Sequence, residues 1–445
     1  MNLEDIFKAY DIRGKVGSQL TPELVQNVGR VFADWLPTDG VVVVGRDMRP
    51  DSGELAQAFI NGLIQQGRDV WDVGQVTSDM IYFAVGKYGL AGSAVITASH
   101  NPGADNGIKL YRDQVIAVGL DAGLAEIRDL VLAKQFKEAA TKPGKLENRD
   151  ISNDWVEHCL TFAPDIKPYH IAIDAGNGMA GAILPKILPK LPLKVEPMYF
   201  ELDGTFPNHE ANPQKPENLK DLVKRIKDDS LDFGLAFDGD GDRAALVDDL
   251  GRPVLGSDFM AIVARHYLSK QPGAEIIYDV RTSRATKELI EEWGGKPFRT
   301  KAGRVNIGTV MRQHKAPFGG ETTGNLFFQE NYDADSGLIA ALSAIQALSE
   351  SGKKLSELVN QYRRYIMPPE INFEVTDKAG AIDRLKQVFS DGQQDELDGL
   401  TVNYPDYWFN IRVSNTEPVM RLNAEAKSQT QLDELLAKVR SAIEA

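Results

Sequence analysis

A single cysteine, Cys159, serves 445 residues, so no internal disulfide can form and no thiolate cluster can hold a metal. It is expected to be a small buried side chain. No apolar run approaches the roughly 18 residues of a membrane span, and the amino-terminal MNLEDIFKAYDIRG lacks the basic and then apolar pattern of a secretory signal. The cytoplasm is therefore the expected compartment. Positive charge is also scarce: 64 Asp plus Glu stand against 50 Lys plus Arg, a formal charge of -14. That balance argues against nucleic acid or an anionic membrane as the main partner. An anionic substrate would need a locally basic pocket. Two common catalytic patterns are missing as well: the phosphate loop G-x-x-x-x-G-K followed by Ser or Thr, and the G-x-S-x-G nucleophile elbow.

What is present describes a folded, multidomain chain. Hydrophobic residues at 42% and charged residues at 26% match globular proteins, and the length gives a prior of roughly three or four domains. Three stretches share one design, an apolar run ending in a polar, Gly-containing turn before a helix-like segment: 41–47, 171–178 and 276–282. Each reads as a buried strand feeding a helix. Each is followed by a second apolar run that ends in an unusual loop, in AVITASHNPG (94–103), FGLAFDGDGDR (233–243) and APFGGETTGN (316–325). Helical patterns such as 54–66 and 219–227 alternate with these strands, which favours largely parallel sheets covered by helices, with ligands at strand ends. Pro, Gly and charge interrupt the pattern near 141–149, 249–256 and 367–369. The expected units are 1–145, 146–250, 251–366 and 367–445: three similar α/β domains with mixed sheets, and a smaller α+β domain. The last should contain a helix over 379–389, strands on either side of 414–418, and a closing helix from about Gln429.

The loop Asp238-Gly-Asp240-Gly-Asp242-Arg243 places three carboxylates at alternate positions, with glycines that let the backbone curl until the oxygens converge. That is a site for a hard cation, magnesium or calcium. An EF-hand loop is ruled out in detail, because its sixth position should be Gly and is Arg243, and its twelfth is Asp249 rather than Glu. The loop Thr97-Ala98-Ser99-His100-Asn101-Pro102 follows a strand and runs into NGIKL; its residues are ordinary turn formers, and its meaning depends on its neighbours. A hydroxyl carries covalent catalysis when a base or metal activates it. His100, adjacent in sequence, reads as poorly placed to be that base. If Ser99 carries phosphate, a cation on the three aspartates would neutralise the phosphoryl oxygens during in-line transfer.

The loop 319–325 offers Glu321, Thr323 and Asn325 on a flexible backbone, groups that suit sugar hydroxyls as well as a plain glycine turn. Arg412-Val413-Ser414-Asn415-Thr416-Glu417-Pro418 combines a guanidinium, hydroxyls and turn amides into a plausible phosphate clamp. Arg13, Lys109 and Arg243 complete a positive cleft or form structural ion pairs.

Taken together, FKAYDIRG (7–14), TASHNP, NGIKL, DGTFPNHEANPQKPENL (203–219), DGDGDR, GGETTG and RVSNTEP run in order along the whole chain. In this they resemble the α-D-phosphohexomutase superfamily, and within it the bacterial phosphomannomutase/phosphoglucomutase branch. The resemblance implies four domains around one central cleft and an isomerase that moves phosphate between C6 and C1 of mannose or glucose. It implies Ser99 as the phosphoserine, with Asp238, Asp240, Asp242 and Ser99 itself holding one magnesium ion. Arg243 would lie close by, and Arg13 and Lys109 beside the reacting phosphate. Lys109 is the first candidate for proton transfer, with Arg13 lowering its pKa by like charge.

By the same resemblance Glu321 and Thr323 would hold the sugar's 3- and 4-hydroxyls, with Asn325 and Arg304 in substrate-binding places. Arg412, Ser414, Asn415 and Thr416 would grip the phosphate that is not transferred. Hexose 1,6-bisphosphate is the implied intermediate and activator, hexose phosphates the only partners, and a monomer or homodimer the expected state. Two departures stand out. Relatives commonly carry Ser and His where Thr323 and Asn325 stand, and His where Arg304 stands. Asn415 points to the mannomutase/glucomutase branch, whereas Gly there would suggest phosphoglucosamine mutase, the nearest alternative. A non-catalytic sugar-phosphate binding protein and a metal-dependent phosphatase are the rivals of other classes.

Overall fold

In the computed structural model, which describes residues 3–413 and 419–444, the chain forms four sheets. The first contains β1 (Ile12–Lys15), β2 (Val42–Arg46), β3 (Val70–Gln75), β4 (Gly92–Ile96), β5 (Asp105–Arg112), β6 (Ile116–Ala117) and β7 (Leu146–Asn148), in the order β1-β5-β4-β2-β3-β7 with β6 on β5. The second, in the order β11-β10-β8-β9, uses β8 (Tyr169–Asp174), β9 (Leu193–Met198), β10 (Phe233–Phe237) and β11 (Ala244–Val247). The third, β13-β12-β14-β15-β16, uses β12 (Glu275–Asp279), β13 (Lys296–Thr300), β14 (Phe318–Gly320), β15 (Leu326–Phe328) and β16 (Ala334–Asp335). The fourth, β17-β21-β20-β19-β18, is antiparallel and uses β17 (Ile371–Glu374), β18 (Gln393–Asp395), β19 (Leu400–Asn403), β20 (Tyr407–Val413) and β21 (Val419–Ala426).

The first three sheets repeat one construction. A parallel pair, β2 with β4, β8 with β10, β12 with β14, is followed by an antiparallel return, β4–β5, β10–β11, β14–β15. The loops singled out in the sequence are the tips of these three returns. Their leading strands are largely apolar because both faces are covered; β4, which includes Ser93, and β10 are buried at every position.

Packing joins these three units. One continuous core runs from Val43 and Phe83 of the first, through Trp155, Ile171 and Phe233, to Phe259, Leu338 and Ile345 of the third. Each such side chain, fully buried, is worth ~1.5–3 kcal/mol. The fourth unit has its own core around Phe373, Leu385, Phe389 and Val439, with helices at Lys378–Val388 and Gln429–Glu444, where the sequence pattern places them.

Three helices set the site: α1 (Ser78–Tyr88), α2 (Arg304–His314) and α3 (Gly337–Ser351). The start of α1 touches the metal loop, Ser78 N donating to the Asp240 carbonyl at 2.9 Å. It also touches the start of α3, where Ser336 Oγ donates to Asp79 Oδ2 at 2.5 Å. Among the described residues no helix is long and apolar enough to cross a membrane.

Candidate active site

Ser99 sits at the tip of the first return with φ of 53°, in the left-handed region that non-glycine residues rarely adopt. It is fully buried. Its Oγ donates to Asp238 Oδ2 at 2.8 Å and its N–H is capped by Thr97 Oγ1 at 2.8 Å. The positive φ turns successive side chains to one side, so His100 Nδ1 lies 3.2 Å from Ser99 Oγ. Burial, with Arg243 and Arg13 nearby, holds His100 well below the ordinary imidazole range, so it is neutral.

A residue that sequence reading passed over braces this loop. Arg49, itself buried, donates to the carbonyls of Pro102 (2.7 Å), Asp105 (2.8 Å), Ser99 (3.0 Å) and Asn101 (2.7 Å), and pairs with buried Asp47 at 3.1 Å. Arg13 adds a second brace, donating to Asn101 Oδ1 at 2.6 Å and the Ala98 carbonyl at 3.2 Å.

The metal loop meets the serine loop through a glycine. A Cβ on Gly239 would lie 2.5 Å from the Ser99 carbonyl oxygen, so only glycine lets the two backbones come this close. Asp238, Asp240 and Asp242 are fully buried, and one oxygen from each lies within 4.8 Å of the others. Asp240 Oδ2 accepts from Lys109 Nζ and Ser78 Oγ, both at 2.5 Å. Asp242 Oδ2 accepts from Lys109 Nζ at 2.5 Å and from Tyr82 and Arg304 at 3.2 Å. The Oδ1 atoms of Asp240 and Asp242 are buried with no hydrogen-bond partner. Buried carboxylate oxygens left without a donor are costly unless a cation takes them. All-oxygen donors of this kind fit magnesium.

The charges follow from this packing. Burial, with Asp240 and Asp242 beside it, pushes Asp238 well above the usual carboxylate range. Burial opposes the charge of Asp240 too, yet Lys109 and Ser78 hold it below that range. For Lys109 burial and Arg304 favour the neutral form, but Asp240 and Asp242 outweigh them and raise it. The expectation of a lysine depressed by Arg13 is thus corrected: carboxylates surround it and keep it charged.

In the third loop Thr323 Oγ1 donates to Glu321 Oε2 at 3.0 Å, while Gly303 N–H donates to Glu321 Oε1. Arg281, absent from the sequence reading, lies 3.6 Å from the same oxygen. Asn325 Nδ2 donates to buried Asp335 at 2.5 Å. Arg304 is turned to Tyr82, Tyr111 and Asp242. In the fourth unit Arg412 pairs with Glu370 at 3.2 Å; Ser414, Asn415 and Thr416 lie outside the described residues.

A cavity of about 670 Å³ gathers these parts, lined by His100 and Arg243, by Glu321, Thr323, Asn325 and Arg304, and by Arg412. Among the described residues eight Lys or Arg and three Asp or Glu line it, a positive pocket in an acidic protein. A larger crevice of about 820 Å³ between the third and fourth units contains none of the serine, metal or sugar loops.

Comparison with known proteins adds the lineage. Models of the phosphoglucomutase/phosphomannomutase α/β/α domains I, II and III match residues 4–138, 153–251 and 256–365, and that of the C-terminal domain matches 370–442. The chain is 38% identical over 432 residues to the phosphohexose mutases of Xanthomonas campestris pv. campestris, covering 96% of each. It is 35% identical over 447 residues to the phosphomannomutase/phosphoglucomutase of Pseudomonas aeruginosa, covering 99% of this chain and 96% of that one. A phosphoglucomutase/phosphomannomutase family protein from Burkholderia thailandensis superimposes with a TM-score of 0.91 at 33% identity, covering 100% of this chain and 98% of the other. With four domain models matched in order, and the serine, aspartate and sugar loops meeting at one basic cavity, this chain belongs to the phosphoglucomutase/phosphomannomutase family of α-D-phosphohexomutases.

Proposed function

We propose that this chain interconverts hexose 6-phosphate and hexose 1-phosphate, acting on mannose and glucose phosphates through phosphoserine at Ser99 and a hexose 1,6-bisphosphate intermediate. The observation that carries this reading is the 2.8 Å bond from Ser99 Oγ to Asp238, inside a buried carboxylate triad beside a basic cavity. The names of the relatives support the same substrates.

Asp238, Asp240 and Asp242, with Ser99, would hold one magnesium ion, whose chemistry is to neutralise phosphoryl oxygens in transfer. The chain's own residues do the rest. Arg49 and Arg13 fix the Ser99 loop. Arg243, Arg13 and Lys109 surround the reacting phosphate with positive charge. Lys109 is charged at rest, so it gives a proton to the serine oxygen as that oxygen leaves and takes up the proton that the attacking sugar hydroxyl loses; the return transfer runs the same relay in reverse. Glu321 and Thr323 hold sugar hydroxyls, with Asn325 beside them, and Arg412 with Ser414, Asn415 and Thr416 grips the distal phosphate; Arg304, at the edge of the same cavity, is turned away to Tyr82, Tyr111 and Asp242. The first transfer moves the phosphoryl group from Ser99 to the free sugar hydroxyl; the bisphosphate turns over; the second returns the other phosphoryl group to Ser99. Between transfers the clamp must accept either phosphate, a task suited to a fourth unit with a core of its own. Division at 145/146, 250/251 and 366/367, a cytoplasmic setting and a monomer or homodimer complete the proposal.

The test is turnover of mannose 1-phosphate, glucose 1-phosphate and glucosamine 1-phosphate, with Ser99→Ala as control. Mannose and glucose phosphates should isomerise and the alanine variant should not. Preference for glucosamine 1-phosphate, or net phosphate release exceeding isomer formation, would overturn the proposal.

A further inference from the structure

Arg304 stands apart from the other cations at the cavity. It is the first residue of α2, where the helix dipole disfavours a positive charge, and its side chain is only 10% exposed. Among the described residues its side-chain hydrogen-bond partners all lie in other units. Nη1 donates to Tyr111 Oη at 2.9 Å and to Tyr82 Oη at 3.0 Å, both in the first unit; Nη2 donates to Asp242 Oδ2, in the second, at 3.2 Å. Tyr82 in turn donates to the same Asp242 oxygen at 3.2 Å, and the two tyrosine rings pack at 4.4 Å.

The consequence lies on Asp242. Three donors, Lys109, Tyr82 and Arg304, converge on Oδ2, while Oδ1 is buried with none. Lys109 is shared with Asp240, and Tyr82 is itself held by Arg304. The planar guanidinium fork bridges one carboxylate and two phenols and so ties the Asp242 rotamer to its phenolic neighbour, beside the shorter contact from Lys109. Groups that hold a metal-binding carboxylate by its other oxygen set ligand direction.

We propose that Arg304 is a positioning residue for the metal site: it reaches from the third unit to hold Asp242 by Oδ2, so that Oδ1 is presented to the ion before substrate arrives. This rests on the function proposed above, and specifically on magnesium binding at the triad. It also separates Arg304 from a sugar-binding role, since its fork is already engaged by protein.

Calorimetric titration of MgCl2 into the full-length protein, without sugar, tests this on the wild type, Arg304→Met and Arg304→Lys. The Met variant should bind Mg2+ roughly tenfold or more weakly. The Lys variant, charged but unable to span three partners, should fall between. At saturating Mg2+ the KM for hexose 1-phosphate should stay within about threefold of wild type. Unchanged Mg2+ affinity in Arg304→Met overturns the inference whatever KM does, and a KM that rises alone identifies a substrate contact instead. Should Arg304→Met fail to fold, Tyr111→Phe removes one partner of the fork without touching the triad. It should weaken Mg2+ binding by about threefold, and no change there is equally fatal. If the wild type binds no Mg2+, the proposed function falls and this inference with it; wild-type binding matched by the Met variant removes only the role of Arg304.

Discussion

Arg49 gives the sharpest energetic prediction, because everything it holds is buried and belongs to the Ser99 loop. Replacing it by Met keeps the volume and removes the charge. Four carbonyls lose a donor, and Asp47, 1% exposed, loses its ion partner. Hydrogen bonds from a charged donor contribute ~1.5–3 kcal/mol each, so simple addition gives ~6–12 kcal/mol. That sum is an upper bound, since the loop can relax and water can reach some carbonyls. The stranded charge gives the firmer figure: breaking a buried pair from one side costs ~3–5 kcal/mol. Burial already pushes Asp47 above its usual range despite Arg49, so without the guanidinium it should protonate and limit the loss to the lower end, about 3 kcal/mol.

A chain of four units need not unfold in one step, so the appropriate assay is native-state hydrogen exchange of amides in β4 and β5, which reports local opening. In Arg49→Met their opening free energy should drop by about 3 kcal/mol, and kcat should fall at least 100-fold as Ser99 loses its fixed place. Asp47→Asn with Arg49→Met, which removes the stranded charge, should recover part of the stability and none of the activity. Protection within about 0.5 kcal/mol of wild type would refute the reasoning.

Two further outcomes follow from the same packing. Gly239→Ala puts a methyl 2.5 Å from the Ser99 carbonyl; the loops must part, costing ~1–3 kcal/mol and abolishing phosphoryl transfer, as a coupled assay on glucose 1-phosphate will show. Burial raises Asp79 to about 7 against its hydrogen bonds from Ser336 and Thr77. A carboxyl raised in the folded state costs stability progressively as pH climbs from its unfolded value of 3.8 to about 7, a span worth roughly 4 kcal/mol. Asp79→Asn should flatten that part of the stability–pH curve in hydrogen exchange of α1; an unchanged slope would remove Asp79 as its source.

The sequence was most informative where chemistry and chain order coincide. DGDGDR is legible as a candidate cation site because its three carboxylates lie within five residues, and the buried strands because their apolar runs are short and end at turns. The topology was less so: that each loop joins antiparallel strands after a parallel pair depends on pairings no local pattern records. Arg49 was missed because the carbonyls it holds lie 50 to 56 positions away, although charged residues clustered at the end of a buried strand, GRDMR, were a signal. Arg281 and the tyrosines around Arg304 carry no motif at all. The 3.2 Å approach of His100 to Ser99 Oγ was not legible either, because it accompanies a positive φ at Ser99 that no local pattern announces. Lys109 was given the wrong neighbour: against burial and Arg304, it is Asp240 and Asp242, more than 130 residues away, that raise its pKa.

The most direct measurement is of the phosphoryl group on Ser99. Protein incubated with labelled hexose 1,6-bisphosphate and Mg2+ should carry label on the peptide containing Ser99 and on no other. Unlabelled hexose 6-phosphate should then remove it at a rate no slower than kcat. Steady turnover with no label on Ser99, or label that leaves more slowly than product forms, would show that the phosphoryl group travels by another route.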